Sequence, residues 1–285
     1  MKNILRLFLC FMLWPMAAWS QSNCCQQFVA FAADSRFMNK HELPLPHQYK
    51  GKEGKSITFS TLDGKPANGF LIKAKQKSNR YLFIFHEWWG LNDYVKEEAA
   101  WYAAQLKNVN VLAIDLYDGK VATTREQASE YMKAANPERN KKIIEGAMAF
   151  TGKKTKIATL GWCFGGTWSL QAAIALGKRA KGCVVFYGMP ESDKKMLRKL
   201  NTDVLGIFAS QDQWITPQVV KQFEANMDSV GKKTQVKMFE ADHAFANPSN
   251  PKYLQTYADE ARKLTLRYLQ RKLKTDKKRK KKEVL

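Results

Sequence analysis

The stretch "ATLGWCFGGTWSL" (158–170) runs from an apolar segment into a helix-like pattern, with a single thiol between glycines. The preceding "TKIATLG" (155–161) reads as a buried strand and 165–177 as a helix. Cys163 therefore sits at the turn of a strand–turn–helix elbow, Gly161-x-Cys163-x-Gly165. Such a turn strains the central residue, and flanking glycines remove the side chains that would clash. The thiol then projects at a helix N-terminus, where the dipole favours a thiolate. Read alone, the same residues also describe a buried cysteine in a tight glycine-rich turn.

Working outward, strands alternate with helices. "KSITFSTLDGKPANGFLIKA" places two alternating segments about the turn Asp63-Gly64, a hairpin pattern. "RYLFIFHE" (80–87), "NVNVLAIDLY" (108–117), "KGCVVFYG" (181–188), "TDVLGIFAS" (202–210) and "TQVKMFE" (234–240) read as further strands. Helical patterning covers 93–106, 123–151 with a break near "NPE" (136–138), 217–229 and about 252–273, with a short piece in "DKKMLRKL". Central strands that are apolar on both faces imply a mostly parallel sheet covered by helices on both sides. Ligands of such sheets bind beyond the carboxyl ends of the strands.

Two of those ends complete a chemical set with Cys163. "FASQDQWITP" puts Asp212 just past one strand, and "FEADHAFANP" puts His243 just past the next. Histidine can take a thiol proton and a carboxylate can orient the imidazole. The rival Asp242 adjoins His243 in sequence and is poorly placed to reach its ring. Of the four histidines, His41 and His47 lie in an N-terminal leader, and His86 ends a strand and reads as structural. Cys163 and His243 have no ligand partners at metal-site spacing, so neither a metal nor an organic cofactor is expected.

"HEWWGLNDYVKEEA", "AIDLYDG", "GWCFGG", "QDQWITP" and "DHAFAN" occur in the order, and at the strand ends, of the dienelactone hydrolase family, which the chain resembles over roughly residues 55–270. The resemblance implies an α/β-hydrolase fold and hydrolysis of an ester or lactone through a thioester on Cys163, with His243 and Asp212 completing a triad. It implies that the Glu87 carboxylate contacts the resting thiol and takes its proton when substrate shifts it. It also implies an oxyanion hole from the backbone N–H groups of Phe164 and Trp88. Where the type enzyme holds a substrate carboxylate with arginines, this chain has Asp118 and Asn247, so dienelactone itself is not the expected substrate. Trp89, Trp162, Trp214 and Phe245, with Asp118 and Asn247, are the expected pocket residues; an aromatic wall would suit an apolar or aromatic acyl or alcohol group.

Composition sets the surroundings. The chain has 285 residues, 45% of them apolar, and a formal charge of +21. "MKNILR", the apolar "LFLCFMLWPMAAW" and "AWS" before Gln21 read as a secretion signal cleaved after Ser20. An uncleaved anchor is the other reading. The expected organisation is a signal at 1–20, a leader at 21–50 whose prolines stop regular structure, a hydrolase domain at 51–273 and a basic tail at 274–285. Export places the protein in the periplasm or outside the cell, with no membrane span after cleavage. Residues 271–285 carry nine Lys/Arg and two acids. That end is either merely solvated or adheres to an acidic envelope surface; it lacks the interleaved aromatics of a specific nucleic-acid site. Cys183 reads as a buried small hydrophobe. Two other functions fit the same residues: a catalytically idle, envelope-associated binding protein, and a thiol redox protein with Cys183 resolving Cys163.

Overall fold

The computed structural model describes residues 23–274; the expected signal and all but the first residue of the basic tail lie outside them. The apolar runs form β3 (Arg80–Phe85), β4 (Asn110–Ile114), β5 (Lys156–Trp162), β6 (Ala180–Phe186) and β7 (Val204–Ala209). Every residue of β4 and β7 is buried, as strands covered on both faces must be. β1 (Lys55–Phe59) and β2 (Ala67–Ile72) make the expected hairpin, and β8 (Thr234–Phe239) closes the other edge. The eight strands lie in the order β1-β2-β4-β3-β5-β6-β7-β8, parallel from β4 onward; β2 runs antiparallel to both its neighbours. This is the α/β-hydrolase arrangement, with a mostly parallel sheet between helices.

The helices after β1 and β2 are α3 (Asp93–Leu106), α4 (Arg125–Ala134), α5 (Pro137–Thr151), α6 (Phe164–Leu176), α7 (Lys194–Arg198), α8 (Pro217–Ser229) and α9 (Gln255–Leu273). The α4–α5 break has a local cause: the Asn136 side chain caps the Glu138 N–H and Pro137 opens the new helix. Side chains on a strand alternate between faces. On β5, Thr159 meets Ser169 of α6 at 2.9 Å, whereas Trp162 meets Phe186 and lines a crevice with Tyr102 of α3 and Arg262 of α9. So α6 covers one face of the sheet, and α3 and α9, packed on each other, cover the opposite one.

α6 is buried at every residue but Ala175. The sheet can bury only one side of a helix, so a second layer is required. The supposed leader supplies it. Residues 23–40 form α1 (Asn23–Ala30), a 3₁₀ turn (Phe31–Ala33) and α2 (Ser35–Lys40). α1 packs on α6, and Phe28, Ala32 and Phe37 are fully buried. The prolines stop regular structure only beyond His41. Gln171 of α6 donates to the Glu191 carboxylate at 2.8 Å and reaches the Cys24 sulfur of α1 at 3.1 Å, a polar tie between the layers. Among the described residues no helix is long and apolar enough to cross a membrane.

Candidate active site

The elbow is built as its glycines require. A Cβ at Gly161 would fall on the carbonyl of Gly165, and one at Gly165 on the carbonyl of Phe85. Cys163 stands between them at φ 55° and ψ −121°, a backbone conformation that costs about 1–3 kcal/mol for a residue with a side chain. Three bonds hold it: its N–H donates to Phe186 O at 2.9 Å, and its carbonyl accepts from Gly166 and Thr167. The strain is thus fixed by β6 on one side and the first turn of α6 on the other.

His243 arrives on the β8–α9 loop and Asp212 on the β7–α8 loop. The His243 Nδ1–H donates to Asp212 Oδ2 at 2.6 Å, and His243 Nε2 lies 3.3 Å from Cys163 Sγ. The other Asp212 oxygen accepts from the Trp214 and Ile215 N–H groups, at 2.9 Å each. Asp242 turns outward to Lys40 at 2.7 Å and leaves the ring to Asp212.

Burial and these contacts set the electrostatics. Burial pushes the Cys163 thiol up; His243 and the Phe164 N–H pull it back only in part. Burial also raises the Asp212 carboxyl, but His243 and the two backbone donors outweigh it, so Asp212 stays below the usual carboxylate range. Burial alone would lower the His243 imidazole; Asp212 and Cys163 reverse that and carry it well above the ordinary value.

Glu87, expected against the resting thiol, accepts from Asn247 Nδ2 at 2.6 Å, and its charge is felt at the Cys163 thiol. Burial pushes its carboxyl up to about 8, against the pull of His243 and Asn247, so it is neutral at pH 7. Asp118 is engaged elsewhere: Arg139 grips it at 2.6 Å, and it lines a 500 Å³ surface cavity that Cys163, Asp212 and His243 do not line. His86 is structural, as expected. Its Nδ1–H donates to Glu87 O at 2.6 Å and its Nε2 accepts from the Leu116 N–H at 3.0 Å.

Of the expected aromatic wall, Trp214 reaches His243, with ring centroids 6.2 Å apart. Trp88 and Trp89 stack edge to face at 4.9 Å, both buried. Phe164 packs in the core against Phe28, Tyr117 and Trp168, its backbone N–H at the sulfur. Phe245 meets Tyr187, whose ring lies 5.1 Å from His243. Trp162, adjoining Cys163 in sequence, faces the other side of the sheet. The redox pairing also fails on geometry. Cys183 is in register with Thr159, four residues short of Cys163, which is roughly 13 Å along the strand and far beyond disulfide reach. Its thiol lies beside Ser169 and burial pushes it up to about 12.

What the sequence reading missed comes from the N-terminal segment. The Phe37 ring lies 5.1 Å from Trp214, 5.6 Å from Trp88 and 5.7 Å from His243; the His41 ring lies 5.3 Å from His243. Together with its neighbours this cover leaves Cys163 with no exposed surface. A ring nitrogen of His41, Cys163 Sγ and a ring nitrogen of His243 all lie within 4.8 Å of one another, a set that spacing along the chain could not reveal.

Sheet order, elbow and strand-end residues define an α/β hydrolase. Comparison with known proteins narrows the class: the model of the dienelactone hydrolase family matches residues 68–273. The chain belongs to the dienelactone hydrolase family and is a hydrolase of the ester and lactone type. It is 24% identical over 206 residues to an Aquifex aeolicus (strain VF5) protein named "Putative carboxymethylenebutenolidase", covering 68% of this chain and 87% of that one. It is 26% identical over 207 residues to "Protein usf" of Aquifex pyrophilus, with the same coverage. Among solved structures, a dienelactone hydrolase-like promiscuous phosphotriesterase, P91, from metagenomic libraries superposes with a TM-score of 0.65 at 19% identity, over 77% of this chain and 99% of that one.

Proposed function

We propose that this hydrolase works by covalent catalysis: Cys163 attacks the carbonyl of an ester or lactone, His243 takes the thiol proton and returns it to the leaving alcohol, and Asp212 orients the imidazolium. Water then attacks the thioester, with His243 as base, and frees the acid and the thiol. The N–H groups of Phe164 and Trp88 receive the oxyanion. The observation that carries this reading is the continuous line Asp212–His243–Cys163, at 2.6 and 3.3 Å, on a strained elbow. The high-lying thiol supports a resting, uncharged nucleophile that ionises only with its histidine, which limits oxidation of an exported protein.

The buried hydroxyls of Tyr117 and Tyr187 have no hydrogen-bond partner among the described residues, and both feel the charge of Cys163. Buried polar atoms are rarely left so, and these two suit the oxygens of a bound substrate. The substrate is an ester or lactone without a carboxylate to be clamped, since Asp118 is neutralised by Arg139 and Asn247 serves Glu87. It enters when the α2 cover moves aside. The reading of residues 1–20 as a secretion signal supports a reaction in the periplasm or outside the cell.

A panel of chromogenic esters and lactones, run on wild type and on Cys163→Ala, tests the proposal. Turnover by wild type alone supports it; equal rates for the two proteins overturn it and favour a binding role on a hydrolase scaffold.

A further inference from the structure

We propose that His41, Cys163 and His243 form a binding site for a borderline-soft divalent cation of the zinc class, one that ties the N-terminal cover to the elbow. The three donor atoms lie within 4.8 Å of one another, and all three residues are buried. A Cys–His–His set suits zinc, which takes thiolate and imidazole donors in tetrahedral sites and tolerates a fourth, open position.

The decisive detail is how each imidazole is held. Metal-bound histidines direct one ring nitrogen at the ion and anchor the other on a carboxylate or a backbone carbonyl. Both histidines here are held that way. The His243 Nδ1–H donates to Asp212 at 2.6 Å, and the His41 Nδ1–H donates to the Phe37 carbonyl at 2.7 Å. The tautomer of His41 therefore leaves its lone pair on Nε2, and that buried atom has no hydrogen-bond partner among the described residues. The backbone around it is also fixed: the His41 carbonyl accepts from Arg125 at 2.7 Å, and Arg125 pairs with Glu42 at 3.0 Å.

The proton balance is simple. Beyond the Nδ1–H that His243 donates to Asp212, Cys163 and His243 share one proton, whether as thiol and imidazole or as thiolate and imidazolium. Formation of the S–metal and N–metal bonds sends that one proton to solvent. The bound ion then spans α2, the elbow and the β8–α9 loop, and it occupies both atoms that the hydrolysis proposed above would use. The site itself does not depend on that hydrolysis.

The test is direct binding to the full chain, reduced and stripped of metal. Zinc is titrated against a chromophoric chelator, and cobalt(II) is used as a spectroscopic stand-in. The expected results are one ion per chain, one proton released per ion, and a cobalt spectrum with a thiolate charge-transfer band that disappears in Cys163→Ser. Loss of a group that merely hydrogen-bonds a metal ligand costs about 10–100-fold in affinity, so His41→Gln should weaken zinc by about 100-fold or more, while His41→Cys, which restores a donor, should recover much of it. Zinc at 100-fold over its dissociation constant should raise the melting temperature of wild type by about 5 °C and that of His41→Gln hardly at all. No binding by wild type overturns the proposal. So does zinc affinity unchanged in folded His41→Gln, or a charge-transfer band that persists in Cys163→Ser and so reports another thiol. None of these readouts requires turnover, so failure of the hydrolase reading and failure of the metal site are separately visible.

Discussion

The β8–α9 loop and the end of α2 each bring one buried histidine to the same sulfur, and the two rings are held in opposite electrostatic conditions. His243 has a buried carboxylate on its Nδ1 and stands well above the ordinary histidine value. His41 has only a backbone carbonyl on its Nδ1 and falls to about 3. Burial penalises the cation in both; what differs is whether a full negative charge answers it. A proton carrier needs the first condition and a neutral ligand or packing group the second. One residue type thus takes two roles, set by one partner each.

The sharpest way to break this contrast is to exchange the roles by mutation. If Cys163 is the nucleophile and His243 its base, His243→Gln and Cys163→Ala should each lose about 10⁶-fold in kcat, the loss seen when a hydrolase is deprived of either group, whereas His41→Gln should lose about tenfold at most. Ester kinetics on purified, folded variants decide it, and comparable losses at the two histidines would erase the distinction.

Next in size is the cover itself. Phe37 is fully buried against Trp88, Trp214 and His243. Phe37→Ala should cost about 3–5 kcal/mol of stability by denaturant unfolding, the range for a buried phenylalanine, while raising kcat/KM for bulky esters. Lower stability with no gain for any ester would mean that the segment is structural and does not gate the site.

Glu87 offers a smaller, pH-dependent effect. Its carboxyl ionises near 4.5 when unfolded and near 8 when folded, so the fold binds more protons than the open chain between those values. Stability from this group is therefore present at low pH and is lost as pH rises from about 4.5 to about 8. Glu87→Gln keeps an acceptor for Asn247 and cannot ionise. It should match wild type at pH 4.5 and exceed it by a few kcal/mol at pH 8, at about 1.4 kcal/mol per pH unit across the window. Parallel denaturation curves at both pH values would contradict a buried, neutral Glu87.

The smallest effect is expected at Asp34, whose side chain caps α2 at the Arg36 N–H and receives the Trp214 Nε1–H at 3.4 Å. Asp34→Ala should loosen the cover slightly, changing kcat/KM within about twofold.

The sheet and the line of contacts Asp212–His243–Cys163 were legible because they rest on local pattern. Doubly apolar strands, the Asp63-Gly64 turn and Asn136-Pro137 each encode their own geometry, and Cys163, Asp212 and His243 each follow a strand directly. The cover was not, because α1 and α2 are short and owe their helical form to packing on α6 and on the site aromatics. A signal was nonetheless present: "FGGTWSLQAAIAL" carries no charge on any side, so it demanded a second layer, and Phe28, Phe31 and Phe37 were available in the nearest unassigned segment. Trp162 misled because adjacency in sequence is not adjacency on a strand; its neighbour in chain turns to the opposite face. The Glu87–Asn247 bond joins residues 160 positions apart, and no spacing rule reaches that far.

The most direct test of the account is to find where the acyl group goes. The full chain is mixed with a chromogenic ester, quenched in acid during turnover and mapped by peptide mass spectrometry. The account predicts one acyl adduct, on Cys163, labile to hydroxylamine and accumulating when deacylation is slowed. Turnover with the acyl group on another residue, or undiminished turnover in Cys163→Ala, would contradict it.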